Sequence, residues 1–123
     1  MRQFFVIVFA FVLGGCNSAK DISGMYRLIS DDPGLQRVTL EIEDTRVSGQ
    51  GPRNRYFGSI LQSDLGSSSI QVGPLAATKM ACPHLSAEHR YFQDLQRSSM
   101  VAVVPNGLIL TTSDETKLVF KYR

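Results

Sequence analysis

Cysteine and histidine are scarce in this chain, two of each, which leaves little material for a disulfide framework or a four-ligand zinc site. Neither charge dominates. Thirteen Lys and Arg face 11 Asp and Glu, so there is no global electrostatic case for a nucleic-acid partner. The sequence also lacks a G-x-S-x-G elbow, a G-x-x-x-x-G-K-[ST] loop and a G-x-G-x-x-G fingerprint, so neither a cofactor nor enzymatic activity is expected. No internal repeat stands out at a period of roughly 20 to 50 residues, which argues against a solenoid.

Long apolar runs are confined to the first residues. Arg2 supplies a positive start, and residues 4–13 (FFVIVFAFVL) form an uncharged run that ends at Gly14 and Gly15. This has the form of a secretory signal and is too short to cross a hydrocarbon core of roughly 30 Å as a permanent helix. Leu13-Gly14-Gly15-Cys16 has the order of a lipobox, in which the cysteine thiol takes a diacylglycerol group and becomes the acylated first residue of the mature chain. Residues 1–15 are therefore expected to be a signal peptide, and residues 16–21 a lipidated N-terminus with a short tether. Two or three acyl chains on Cys16 make a stable anchor without a spanning helix. Asp after the lipidated cysteine retains lipoproteins in the inner membrane. Asn17 stands there, so the expected location is the cell envelope, at the outer membrane facing the periplasm of a Gram-negative host.

Of 123 residues, removal of 15 leaves 108, enough for one domain with a modest core. With Cys16 consumed by lipid, Cys82 has no partner for an intrachain disulfide. Residues 22–123 read mostly as β: short apolar or alternating runs at 25–29, 38–42, 46–50, 57–61, 69–72, 100–104, 108–112 and 118–122 are separated by turn-forming Asp, Pro, Gly and Ser. Asn106-Gly107, between two apolar runs, predicts a tight hairpin because both residues tolerate positive φ. One segment, residues 86–97, has helix formers, Glu88 in its first turn and a narrow apolar stripe of Phe92 and Leu95 joined by Tyr91. The expected fold is α+β: a mainly antiparallel curled sheet or cracked β-barrel of about eight strands with one α-helix.

The stretch ATKMACPHLSAEHRYF at 77–92 concentrates Cys82, His84, Glu88 and His89. Cys82 and His84 precede the predicted helix, whereas Glu88 and His89 are adjacent on it and diverge by about 100°. No metal site is expected from them. A thiol among Met80, Ala81 and Leu85 reads more readily as a small buried hydrophobe than as a nucleophile. Arg53, Arg55 and Tyr56 form a basic and aromatic cluster that offers a binding surface for headgroups or an acidic partner. The plainer reading makes the two arginines solvent-facing and gives Tyr56 to packing.

RVSGQGPRNRYFG at 46–58, LAATKMACP at 75–83 ahead of a helix, and NGLIL with KLVF at 106–110 and 117–120 come in the order seen in META domains. The chain resembles that family, which includes heat-shock lipoproteins, from about residue 24 to 122. Thr78, Lys79, Met80, Ala81 and Cys82 match its T-[RK]-M-A-C segment, and Asn54, Tyr56 and Gly58 match its N-x-Y-x-G stretch. Arg53 stands where relatives commonly have Cys, so a cysteine pair does not carry over. The motif residues are expected to be structural.

The expected protein is a lipid-anchored, non-enzymatic one of the cell envelope, and the resemblance implies that it binds or supports other envelope components in stress tolerance, assembly or secretion. Its expected partners are membrane lipid through Cys16 and an envelope protein, apolar peptide or acyl ligand. A second reading is an inhibitor of a periplasmic hydrolase acting through a protruding loop.

Overall fold

The computed structural model describes residues 22–79 and 85–123. The chain order is β1 (Gly24–Ile29), a 3-10 turn (Pro33–Leu35), β2 (Thr39–Glu43), β3 (Arg46–Gln50), β4 (Arg55–Asp64), β5 (Ser69–Val72), β6 (Ala76–Ala77), α1 (Leu85–Gln96), β7 (Ser98–Val104), β8 (Gly107–Thr112) and β9 (Lys117–Tyr122). Eight strands pair antiparallel in the order β3-β2-β1-β9-β8-β7-β5-β4, and β4 pairs back onto β3. Among the described residues the sheet is thus a closed barrel with one helix. Eight strands enclose a space that side chains can fill. The eight expected runs are all strands. The addition is β6, two residues that pair with Tyr56 and Phe57 inside the predicted pre-helix segment.

Alternation decides which side chains fill the barrel. Along β2, Leu40 and Ile42 are buried while Glu41 and Glu43 are exposed. Tyr26, Leu28, Leu108, Leu110, Leu118 and Phe120 line the interior from β1, β8 and β9. Each such side chain contributes about 1.5–3 kcal/mol by leaving water. Strand β4 runs ten residues, longer than its apolar pattern suggests, because it serves two neighbours: its first half pairs with β3 and its second with β5. The register shifts between Ile60 and Gln62, and the bulge leaves Leu61 59% exposed. A bulge is how a strand bends between partners without losing its buried face.

The seam between β5 and β7 is thin. Ser69 and Met100 form its single residue pair, supported by the Val101 N–H donating to the Ser68 carbonyl at 2.9 Å. Helix α1 packs beside this seam, contacting β5, β8 and the 3-10 turn. Its inward residues are Ala87, Glu88, Tyr91 and Leu95, with Phe92 half-buried and Ser86, His89 and Arg90 exposed. The spacing is that of one helical face. Tyr91 and Leu95, each 1% exposed, sit deepest, so these two residues of the predicted stripe form the plug and Phe92 lies at its edge.

The β7–β8 hairpin forms where Asn106-Gly107 predicts it, with Val104 opposite Gly107. Its cause differs from the expectation, since neither Asn106 nor Gly107 has positive φ. A Cβ on Gly107 would lie 2.0 Å from the Phe120 carbonyl oxygen, so glycine is needed there for strand proximity.

Candidate functional site

The family-motif residues converge at the end of the barrel where α1 meets the link between β3 and β4. That link turns sharply, with the Gly51 N–H donating to the Asn54 carbonyl at 2.8 Å. The turn aims the N–H groups of Arg53 and Asn54 at the helix. Both donate to Glu88 Oε2, at 2.9 and 2.8 Å, and the Asn54 side-chain amide donates to Glu88 Oε1 at 2.6 Å. Asn54 Oδ1 accepts from the Thr78 hydroxyl at 2.9 Å. Thr78 in turn exchanges bonds with the Arg55 main chain: its N–H donates to the Arg55 carbonyl at 3.0 Å, and its hydroxyl accepts the Arg55 N–H at 3.2 Å. Three distant pieces of sequence are tied into one network.

Glu88 is 1% exposed and Asn54 2% exposed. Burial alone raises a carboxyl pKa, but the donors from Asn54 and Arg53 outweigh it and hold Glu88 below the ordinary glutamate value. It is a buried, charged carboxylate whose two oxygens are taken by protein donors. A group so engaged fixes the helix to the turn.

Beside it lies a tyrosine pair. The Tyr56 hydroxyl donates to the Thr39 carbonyl at 2.6 Å and meets the Tyr91 hydroxyl at 2.7 Å. Since the Tyr56 proton goes to Thr39, Tyr91 is the donor between the two. Burial drives both phenols above the usual tyrosine range, so both stay neutral. Their rings pack edge to face at 5.6 Å, and Phe92 lies 5.3 Å from Tyr56. The remaining motif residue of this stretch, Gly58, stands where a Cβ would come 2.8 Å from Leu75 Cδ2 and 3.0 Å from the Pro74 carbonyl oxygen. Only hydrogen fits under the chain that crosses there.

Asn54, Tyr56 and Thr78 therefore meet at one place. Lys79 is exposed, and Met80, Ala81, Cys82 and Cys16 lie outside the described residues, as does His84. Tyr56 is 1% exposed, which removes its ring from the surface cluster read with Arg53 and Arg55; both arginines are exposed. Glu88 turns inward and His89 outward, in line with the 100° divergence. Sequence reasoning assigned Glu88 to the helix dipole and missed its larger role. The available signal was its spacing: Glu88 stands three residues before Tyr91 and seven before Leu95, on the buried stripe.

A small closed antiparallel barrel, plugged by one helix that a buried Glu–Asn–Thr network ties to the β3–β4 turn, defines the class of this protein. The META domain profile matches residues 26–123, and the chain belongs to the META domain family. Solved structures share the fold. A protein from Burkholderia xenovorans, determined by NMR, is 22% identical with a TM-score of 0.67, covering 86% of each chain. A DUF4847 family protein from Bacteroides vulgatus is 11% identical with a TM-score of 0.66, covering 89% of this chain and 98% of that one. No curated protein sequence matches the chain.

Proposed function

We propose that this META domain protein is a lipid-anchored, non-enzymatic component of the cell envelope, held at the outer membrane through Cys16, that binds an apolar segment of another envelope protein on the outside of its barrel. The observation that carries this reading is an outward row across four strands. Ile29 pairs with Val119, Val119 with Ile109, and Ile109 with Ala102. Ile29 and Val119 are 39% and 37% exposed, and Ala102 is exposed beside half-buried Ile109.

Two further features favour a protein segment as occupant. Beyond the Val101 bond to Ser68, β7 carries an edge with no partner strand among the described residues, and Val103 there is 47% exposed. An extended peptide can pair with such an edge and lay its apolar side chains along the adjoining row. The flanking side chains Arg27 and Lys121 on one side and Lys117 on the other suit a segment with acidic ends. The buried polar network supports a structural job for the motif residues, which leaves binding to the surface. A continuous apolar row also favours this reading over inhibition through a protruding polar loop.

The test places a photoreactive residue at Ile109 in the native envelope, with Ser113 as the control position. A discrete crosslinked protein at Ile109, absent at Ser113 and lost when Val119→Asp is added, is the expected result. Equal crosslinking at both positions, or none at Ile109, sinks the proposal. The anchor is checked separately: Cys16→Ser is expected to abolish acylation and release the chain from the membrane fraction or leave it as precursor.

A further inference from the structure

We infer that the outer groove between β2 and β3 is a phosphate-binding site formed by Arg37, Arg55 and Arg123. The three come from different parts of the chain: the turn before β2, the start of β4 and the segment after β9. The register shows why they meet. On the outer face Thr39 and Glu41 of β2 lie beside Gln50 and Ser48 of β3, and Gln50 lies opposite Arg55. Met25, the neighbour of Glu41 on β1, accepts the Arg123 N–H at 2.9 Å. The three arginines line one groove of about 380 Å³ with Thr39, Glu41 and Ser48, which matches the volume of small-ligand clefts, about 300–1,000 Å³.

The charge in this groove is not balanced internally. Three arginines line it against a single acidic side chain, Glu41. Among the described residues, the ion pairs join Arg90 to Asp32 and Arg97 to Asp114; none of the three groove arginines takes part in one. Their main chains are fixed, Arg55 by its exchange with Thr78 and Arg123 by its bond to Met25. Guanidinium forks match phosphate oxygens in a bidentate way that Lys does not reproduce. The Thr39 and Ser48 hydroxyls add neutral donors at the same place. A phosphate group is the ligand that satisfies this set, either on a lipid headgroup or on a free phosphorylated solute. The inference is independent of the lipid anchor and of the apolar row, which lies on β1, β7, β8 and β9.

The experiment follows the arginine Nε–H signals by NMR in the purified full chain in an uncharged detergent, titrated with inorganic pyrophosphate in one arm and monomeric dihexanoyl phosphatidylglycerol in the other. Saturable shifts of Arg37, Arg55 and Arg123 in at least one arm are expected; the arm with tighter binding identifies the source as free phosphate or headgroup. Arg37→Ala and Arg55→Ala, both at exposed positions, are each expected to weaken binding about three- to fivefold, the scale of one exposed ion pair. Arg55→Lys, which keeps the charge and loses the fork, should fall between parent and alanine variant. Glu41→Gln, which removes the opposing carboxylate, should tighten binding by a similar factor, a gain that misfolding cannot produce. No saturable shift in either arm, or unchanged affinity in the Arg37→Ala/Arg55→Ala double variant, overturns the assignment.

Discussion

Glu88 of the helix and Asn54 of the β3–β4 link are 34 residues apart in sequence and share two hydrogen bonds, at 2.6 and 2.8 Å, in a place where both are buried. The pair joins the plug to the barrel, and its energetics follow from what each partner loses when the other is removed.

Glu88→Ala leaves the N–H groups of Arg53 and Asn54 and the Asn54 amide without their acceptor. The expected loss is about 3 kcal/mol, the scale for breaking a buried charged contact. Glu88→Gln retains the shape but puts a donor where an acceptor is needed, so the expected loss is smaller and still measurable. Urea unfolding of the three proteins gives the comparison, and an alanine variant as stable as the parent refutes the anchoring role.

The same carboxylate makes stability pH-dependent. Its folded pKa lies below the ordinary value of 4.5 because the donors of Asn54 and Arg53 outweigh burial. The unfolded state therefore binds the proton first as pH falls. The contribution is complete above about pH 5, and it is lost as pH drops through the lower folded value. Asp114, held low by Thr112 and Thr116, acts in the same direction, so the informative quantity is the difference between parent and Glu88→Gln. That difference should shrink on acidification below the ordinary glutamate value, and a difference constant with pH contradicts the assignment.

The two tyrosines should respond unequally. Tyr91→Phe removes one donor while Tyr56 keeps its bond to Thr39, an expected cost of about 1 kcal/mol. Tyr56→Phe removes two bonds and leaves the buried Tyr91 hydroxyl and the Thr39 carbonyl unsatisfied, an expected cost of about 2 kcal/mol or more. A larger loss from Tyr91→Phe than from Tyr56→Phe in chemical denaturation would mean that Tyr91, rather than Tyr56, bonds the main chain.

Gly107→Ala tests the hairpin. Its Cβ meets the Phe120 carbonyl carbon at 2.9 Å and the oxygen at 2.0 Å, and backbone cannot swing aside as a side chain can. A loss of about 2–3 kcal/mol is expected from overpacking. Asn106→Ala, at an exposed turn position without positive φ, should cost far less. The reverse order in thermal unfolding would restore the positive-φ explanation of this turn.

The plug has its own ranking. Leu95→Ala, at a fully buried position, should cost about 2–4 kcal/mol, and half-buried Phe92→Ala less than full burial of an aromatic implies. A larger loss at Phe92 than at Leu95 would show that the helix packs with its other edge inward.

The strands and the helix are legible in the sequence, because both depend on local periodicity. Alternation such as Leu40, Glu41, Ile42, Glu43 admits one buried face, and the stripe through Tyr91 and Leu95 admits one helix face. The sequence placed the hairpin at Asn106-Gly107 without revealing the reason, which is the closeness of Phe120 from a third strand. Resemblance pointed to Asn54, Tyr56, Gly58 and Thr78 but not to what they do together. That Glu88 is a buried acceptor, that Tyr56 faces the core, and that Arg55 shares a groove with Arg37 and Arg123 rather than with Arg53 emerges from the closed barrel alone. Those outcomes depend on which strands become neighbours when the sheet closes. Closure is set by the combined packing of eight strands, and a local pattern carries no information about a partner 30 or 70 residues away.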